Sequence, residues 1–454
     1  MCGIAGFCNF KEDFEENTDY WNFRLEKMRA VLAHRGNDAR GRYLKKHIGL
    51  SHSRLAIRDI LCGDQPMTRT HNGYDYTICY NGEIYNTDEL IPELSENGFV
   101  CSTTSDTEVI LYAYIHWGAD FVNRLNGIFA FAIWDAAKSR LLLYRDRVGV
   151  KPLFYAIRGD SLVFGSEPKA CFAHPAVKPE LDKQGLQELL AIGPAHTSGL
   201  SLFKDLFEVL PGHFMIYSRD GLHDETYWEL TSREHTESYR DTVAHTRFLV
   251  EDAIKRQMVS DVPVCTFLSG GIDSSIVTAI AANYMNTRGK TLNTFSFDFK
   301  DNDRYFKANA FQPERDLPYV NRMLEEYETA HSYLECDENS LFKALFAAVD
   351  AKDMPGMTDV DSSLLYFCSL VSRKNKVALT GECADEIFGG YPWFYRKELL
   401  ERYGFPWSSD VAPRLALLRD DVGLELDLSG YQAFRYEESR SKAPLLYGEA
   451  GEDE

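Results

Sequence analysis

No apolar run in the 454 residues approaches the ~20 needed to cross a bilayer as a helix. The opening residues also lack a basic stretch ahead of an apolar one, and turn acidic at Glu12 to Glu16. A membrane protein and an exported one are both disfavoured, and the chain reads as soluble and cytoplasmic. Clustered basic residues are missing as well: 49 Lys and Arg against 69 Asp and Glu leave a net charge of −20, the opposite of a nucleic-acid surface. Any phosphate ligand must therefore be held by local devices or metal ions. The ten cysteines contain no CxxC pair and no regular spacing, which excludes a disulfide framework and a zinc site and fits reduced thiols. Internal repeats and low-complexity tracts are absent too. What remains is an ordinary globular balance, 44% hydrophobic and 26% charged, in a chain long enough for two domains.

The first half consists of short alternating runs broken by turn residues. Ile128 to Trp134, a turn over Asp135 to Ser139, and Leu141 to Tyr144 predict a hairpin. Helical patterns over Tyr20 to Ala33 and Asp106 to Trp117 are interspersed, so a sheet layered with helices is expected. A short hairpin runs to Trp228, and the polar stretch Thr231 to Arg240 then shows no hydrophobic period, placing a junction there. Beyond it, a helical pattern precedes the run Val264 to Leu268, a glycine turn, a helix from Ser274 to about Asn286, and the run Leu292 to Phe297. This order is a βαβ unit, which predicts a parallel sheet with ligands at the carboxyl ends of its strands. The run Val377 to Thr380 ends at Gly381 in the same manner. The terminal stretch Gly448 to Glu454 is acidic and expected to be solvated.

Cys2 follows the initiator directly, so removal of Met1 would put a thiol and a free α-amine on one residue. An α-amine titrates near pH ~8, close enough to neutrality to relay the thiol proton without a histidine. Taken alone, a buried inert cysteine is the commoner outcome. Four further islands alter that balance: His34-Arg35-Gly36, Arg54 to Ile57, Asn81-Gly82-Glu83 and Ser105 to Glu108. Together they supply what cleavage of a free amino acid's side-chain amide needs. The Asn81 amide and a Gly82 N–H can donate to an oxyanion, Arg54 can grip an α-carboxylate, and Asp106 an α-ammonium. Isolated, Asn81-Gly82 would be a hairpin turn, Arg54 a surface ion pair and Asp106 a helix cap. The set, with Gly127-Ile128-Phe129-Ala130, Arg145 to Gly149, Lys151-Pro152-Leu153 and Ser166-Glu167, resembles the class II glutamine amidotransferase domain, an N-terminal-nucleophile fold. The resemblance implies that Cys2 is the nucleophile, that Asn81 and Gly82 form the oxyanion hole, and that Arg54, Glu83 and Asp106 hold glutamine. Asn37 departs from it, standing where the family usually has proline.

Ser269-Gly270-Gly271-Ile272-Asp273-Ser274-Ser275 lies between a strand and a helix, where glycines and the first helical N–H groups would cradle an anion. It lacks the Gly-Lys-Ser/Thr ending of a Walker loop. It resembles the pyrophosphatase loop of ATP-dependent adenylating enzymes. A second segment, Thr380 to Tyr391, ends another strand; beside ATP, Asp273 and Asp385 could hold Mg²⁺, and Glu382 could take a proton from an incoming amine.

An N-terminal-Cys amidotransferase followed by this loop and this acidic turn resembles glutamine-hydrolysing asparagine synthetase. The resemblance implies that ATP adenylates the side-chain carboxylate of aspartate with release of pyrophosphate, and that ammonia from glutamine travels an internal tunnel to displace AMP. It places Leu268, Phe297, Thr380 and Gly381 with the loop residues Ser269, Gly270, Gly271, Asp273 and Ser274 around ATP, and implies a homodimer. The expected fold class is α/β: an N-terminal-nucleophile αββα sandwich over residues 2–218, a junction over 219–239, and a parallel-sheet α/β ATP-pyrophosphatase-type domain over 240–454. The family continues past the acidic turn into further helices with a phosphate-contacting basic residue, so the second domain reads as incomplete at its C-terminus. Nothing in the residues themselves singles out aspartate; amidation of another carboxylate, and a glutamine-binding or -hydrolysing protein with a non-catalytic second domain, stay open.

Overall fold

The structure is a computed structural model that describes residues 1–308, 314–408 and 410–442; the acidic stretch 448–454 lies outside the described residues. The chain divides into two units, Met1–Arg233 together with residues from Asp410 on, and Glu234–Ser409.

The first unit contains strands β1 (Gly3–Asn9), β2 (Ala39–Lys45), β3 (Ile48–Arg54), β4 (Met67–His71), β5 (Tyr74–Ile84), β6 (Gly127–Asp135), β7 (Arg140–Arg145), β8 (Phe154–Arg158), β9 (Ser161–Gly165), β10 (Phe207–Glu208), β11 (His213–Ser218) and β12 (Gly221–Thr226). They form two six-stranded sheets, in the orders β10-β8-β9-β1-β3-β2 and β12-β11-β7-β6-β5-β4. Every pairing in them is antiparallel. The period-2 alternation of apolar residues explains the layering. On β6, Ala130, Ala132 and Trp134 face the other sheet and pack with Ile4, Cys8, Leu50 and Phe164. Phe129, Phe131 and Ile133 face outward, onto Val109, Ile110 and Ala113 of the helix Asp106–Trp117. On the far side, Ala5 and Phe7 of β1 meet Trp21, Leu25 and Met28 of the helix Thr18–Ala30. The result is the expected αββα sandwich. The hairpin β6–β7 and the helix Asp106–Trp117 form where their patterns predict, but Asn81-Gly82 is no turn: both lie inside β5, opposite Ala130 and Phe129 of β6.

The second unit holds β13 (Val264–Phe267), β14 (Leu292–Phe299), β15 (Thr329–Cys336) and β16 (Val377–Leu379), all parallel, in the order β15-β14-β13-β16. Val264 packs with Ala281 and Ala282 of the helix Ile272–Asn286, whereas Cys265 packs with Phe367 and Val371 of the helix Thr358–Val371. Helices therefore cover both faces, as a parallel sheet requires. No helix of the described residues is long and apolar enough to cross a membrane.

Two boundaries differ from the sequence reading. Residues 221–226 lie inside the expected junction but are also the second arm of the hairpin read to Trp228, and they form β12, paired along β11. Residues 410–442, expected with the second domain, group with the first unit. The reason is a buried carboxylate. Glu188, 1% exposed, accepts from Thr197 N and Oγ1 at 2.8 Å each and from Tyr431 Oη at 2.5 Å, and pairs with Arg435 Nε at 3.2 Å. Arg414 donates to the carbonyls of Leu190 (3.0 Å) and Gly193 (2.8 Å), which ties the same segment again.

Removing one partner of a buried ion pair strands the other charge, so Arg435→Met is expected to destabilise the protein by about 3 kcal/mol. Urea unfolding measures it, and a loss below about 1 kcal/mol would show that this pair does not anchor the C-terminal segment.

Candidate active site

Cys2 precedes β1, the interior strand between β3 and β9. Its Sγ donates to Leu55 O at 3.6 Å and accepts from Leu55 N at 3.4 Å. Arg35 Nε donates to Cys2 O at 2.9 Å, and Arg35 is itself paired with Glu167 at 2.7 Å, which also meets His34 at 3.0 Å. The His34-Arg35-Gly36 and Ser166-Glu167 motifs thus form one clamp on the first residues. Burial acts on the terminus in two directions. It pushes the Cys2 thiol up, against a hydrogen bond from Leu55 that lowers it, and it brings the Met1 α-amine down to about 6.

Residues 79–83 of β5 run past Cys2, since both Cys79 and Glu83 interact electrostatically with it. Midway between them Asn81 is 1% exposed, and its Nδ2 has no hydrogen-bond partner among the described residues. A buried amide donor left unpaired is costly, and a ligand oxygen would satisfy it. Gly82 is required by close approach: a Cβ there would lie 2.3 Å from Ile128 O.

Asp106 begins the helix Asp106–Trp117, 4% exposed, and its Oδ2 accepts from Tyr80 Oη at 2.8 Å and Ile84 N at 3.1 Å. Burial raises its carboxyl, and the Arg58 guanidinium opposes that. Arg58 carries no motif signal; it donates to Ile84 O at 2.9 Å and Thr87 Oγ1 at 3.2 Å. Arg54, at the end of β3, spends Nη1 and Nη2 on the carbonyls of Arg58, Asp59 and Ile60 and on Asp64, while its Nε makes no hydrogen bond among the described residues. The structure therefore gathers Cys2, Asn81, Gly82, Glu83, Asp106 and Arg54 at one end of the sandwich, with Arg54 turned mainly onto its own loop.

In the second unit, the sheet order reverses beside β13, and the loops after β13 and β16 meet at that switch point. A Cβ on Gly381 would stand 2.7 Å from Asp273 Cβ and 2.8 Å from Ser274 N, so glycine lets the two segments touch. Ser269 Oγ and Ser274 Oγ lie 3.0 Å apart, closing the loop on itself. Leu268, Ser269 and Phe297 line a pocket with Asp298, Asp316 and Tyr333. Thr380 Oγ1 accepts from Glu382 N at 3.4 Å, and Glu382 itself is exposed. Burial first, then the charge of Asp385, raises the Asp273 carboxyl. Two hard oxygen donors that repel one another suit a divalent cation completed by phosphate oxygens; among the described residues no cluster of three potential metal ligands exists.

Comparison with known proteins agrees with this layout. A family model described as glutamine amidotransferase domain matches residues 1–228, and one described as asparagine synthase matches 245–454. Asparagine synthetase [glutamine-hydrolyzing] 3 of Bacillus subtilis (strain 168) is 47% identical over 454 residues, 100% of this chain and 73% of that protein. The chain belongs to the glutamine-hydrolysing asparagine synthetase family. It is thus a member of an ATP-using family of carbon–nitrogen ligases. Asparagine synthetase [glutamine-hydrolyzing] 1 of the same organism is 32% identical over 401 residues, 88% of this chain and 60% of that protein. Amidase chyE of Penicillium rubens is 32% identical over 431 residues, 91% of this chain and 62% of that protein. This chain thus spans between about 60% and 73% of these relatives. Among solved structures, glutamine phosphoribosylpyrophosphate amidotransferase from B. subtilis, complexed with ADP and GMP, is similar at TM-score 0.40 and 15% identity, covering 87% of this chain and 98% of that one.

Burial alone would raise the Glu167 carboxyl, but the hydrogen bond from His34 and the Arg35 charge bring it down to about 2 from 4.5. A depressed carboxyl stabilises the fold fully above its ordinary value and loses that contribution as pH falls toward 2. Chemical denaturation between pH 5 and 2 is expected to show a loss of about 2–3 kcal/mol that Glu167→Gln removes. An unchanged pH slope in the variant would mean that Glu167 is not held charged by the clamp.

Proposed function

We propose that the chain makes asparagine from aspartate, ATP and the amide nitrogen of glutamine, dividing the work between its two units. The observation that carries the first half is the unpaired, buried Nδ2 of Asn81, on the β5 segment whose Cys79 and Glu83 interact electrostatically with Cys2. Excision of Met1 frees the Cys2 α-amine, which takes the thiol proton as sulfur attacks the side-chain carbonyl of glutamine. Asn81 Nδ2 and the Gly82 N–H stabilise the resulting oxyanion. The amine returns the proton to the leaving nitrogen, ammonia departs, and water cleaves the thioester to glutamate. Asp106 receives the α-ammonium, whose charge offsets the burial of that carboxyl, and Arg54 Nε and Glu83 orient the rest of the amino acid.

In the second unit an aspartate side-chain oxygen attacks the α-phosphorus of ATP, and pyrophosphate leaves against the N–H groups of Gly270, Gly271 and Ser274, with Ser269 closing the loop. Leu268, Phe297, Thr380 and Gly381 wall the nucleotide. Mg²⁺, held by Asp273 and Asp385, would neutralise the leaving charge. Ammonia from the first unit attacks the aspartyl carbonyl, Glu382 accepts its proton, and AMP departs. A homodimer belongs to this reading, to be checked by light scattering. A second reading keeps both half-reactions with another carboxylate as acceptor, favoured by the amidase name of the Penicillium rubens relative.

Incubation with ATP, Mg²⁺, aspartate and either glutamine or ammonia is expected to yield asparagine with stoichiometric AMP and pyrophosphate. Glutamate without AMP would sink the synthetase half; AMP formation with a different acid alone would transfer the case to the second reading. Cys2→Ala should abolish glutamine use and spare ammonia-driven synthesis, and equal loss of both would overturn two separable sites. Because the base must be unprotonated, the acid limb of glutamine hydrolysis should fall below the ordinary ~8, since burial at this terminus lowers an α-amine.

A further inference from the structure

Lys151 has a part that the mechanism above leaves unused. Its backbone is fixed on both sides: N–H donates to Asp146 Oδ2 at 2.9 Å, and O accepts from Arg145 Nε at 3.1 Å. Arg145 is in turn locked by Glu208 at 2.8 Å and Val209 O at 2.6 Å. The side chain is 9% exposed, and Nζ donates to Met1 Sδ at 3.2 Å. A thioether is a weak acceptor and carries no charge. Lys151 has no carboxylate partner among the described residues, in contrast to Arg35, which Glu167 neutralises. A rigid arm thus delivers a buried cation, with no direct carboxylate partner among the described residues, to the residue whose removal the mechanism requires.

Other charges face the same terminus. They are the Cys2 thiol itself, Arg35 and Asp38 from the turn before β2, Arg54 from the end of β3, Glu83 on β5, and Asp146 beside Lys151. Glu83 and Asp146 favour the Lys151 charge and burial opposes it. At the Met1 amine, burial acts first toward the neutral form, the Cys2 thiol opposes it, and the Arg35 and Lys151 cations then add to burial. Loss of Met1 takes away the thioether and leaves Nζ beside residue 2.

We propose that Lys151 is a positioning residue for the N-terminal nucleophile: its fixed ammonium disfavours a second positive charge on the Cys2 α-amine and favours negative charge on the Cys2 sulfur, keeping the pair ready as base and nucleophile. This rests on the reading of Cys2 as an amidohydrolase nucleophile. Three outcomes are separable in full-length chain whose Met1 excision has been verified by mass. The pH dependence of Cys2 alkylation by iodoacetamide and that of kcat/KM for glutamine hydrolysis are read side by side. Lys151→Met is expected to move the acid limb of both up by about one unit, and Lys151→Arg to restore it. An unshifted limb with uniformly lower rates would overturn the proposal and leave Lys151 a packing residue. A wild-type Cys2 that neither alkylates nor hydrolyses glutamine would defeat the reading beneath it instead. Where Lys151→Met does not fold, the ¹³C-detected titration of Lys151 Nζ in the wild type serves: it should lie below the ordinary ~10.4, and an ordinary value overturns the proposal.

Discussion

The first strand of this chain is an interior strand, and the rest of the amidohydrolase end depends on that. Gly3–Asn9 pairs with β3 on one side and β9 on the other, and every residue of it is buried. A chain terminus normally frays because few contacts hold it. Here the terminus cannot move without opening two ladders and two apolar layers. The Arg35–Glu167 clamp and the contacts with Leu55 then need only to orient a residue whose position the core has already set. Sequence order and chemistry are linked: a nucleophile that supplies its own amine must sit at a terminus, and only a terminus that opens into a central strand is rigid enough to hold it against fixed donors on a second sheet.

Much of this was legible in the residues because the signals were local and periodic. The β6–β7 hairpin follows from alternation broken by a turn, and β13, the helix Ile272–Asn286 and β14 follow from apolar runs around a glycine loop. The helix Asp106–Trp117 begins at Asp106, with Ser105 capping it, as its residue pattern indicates. Asn81-Gly82 in isolation has the chemistry of a turn, but its place among the other motifs argued against one, and partner strand β6 holds it extended. What escaped was long-range. Arg58 supports Asp106 from a loop without motif. The attachment of residues 410–442 to the first unit depends on a carboxylate at Glu188 meeting Arg435 across 247 positions, which no window of sequence displays.

The two units solve opposite electrostatic problems. An acidic chain repels a polyphosphate, and on the proposed function the second unit would answer with backbone N–H groups at the start of a helix, at a sheet's switch point, where Gly381 admits one loop against the other. Asp273 is raised by burial and by Asp385 together, which under the proposed function would favour a bound divalent cation.

In the first unit, burial drives the titrating groups around Cys2 toward neutrality: the thiol and Asp106 upward, the terminal amine and Lys151 downward. Under the proposed function, the α-ammonium of a bound glutamine would favour an ionised Asp106, and its carbonyl oxygen, becoming an oxyanion, would meet the Asn81 donor that lacks a partner among the described residues. An amide without the amino-acid end would satisfy the donor but leave Asp106 uncompensated. On that reading, discrimination for a free amino acid would arise from the cost of burying Asp106 without its counter-charge.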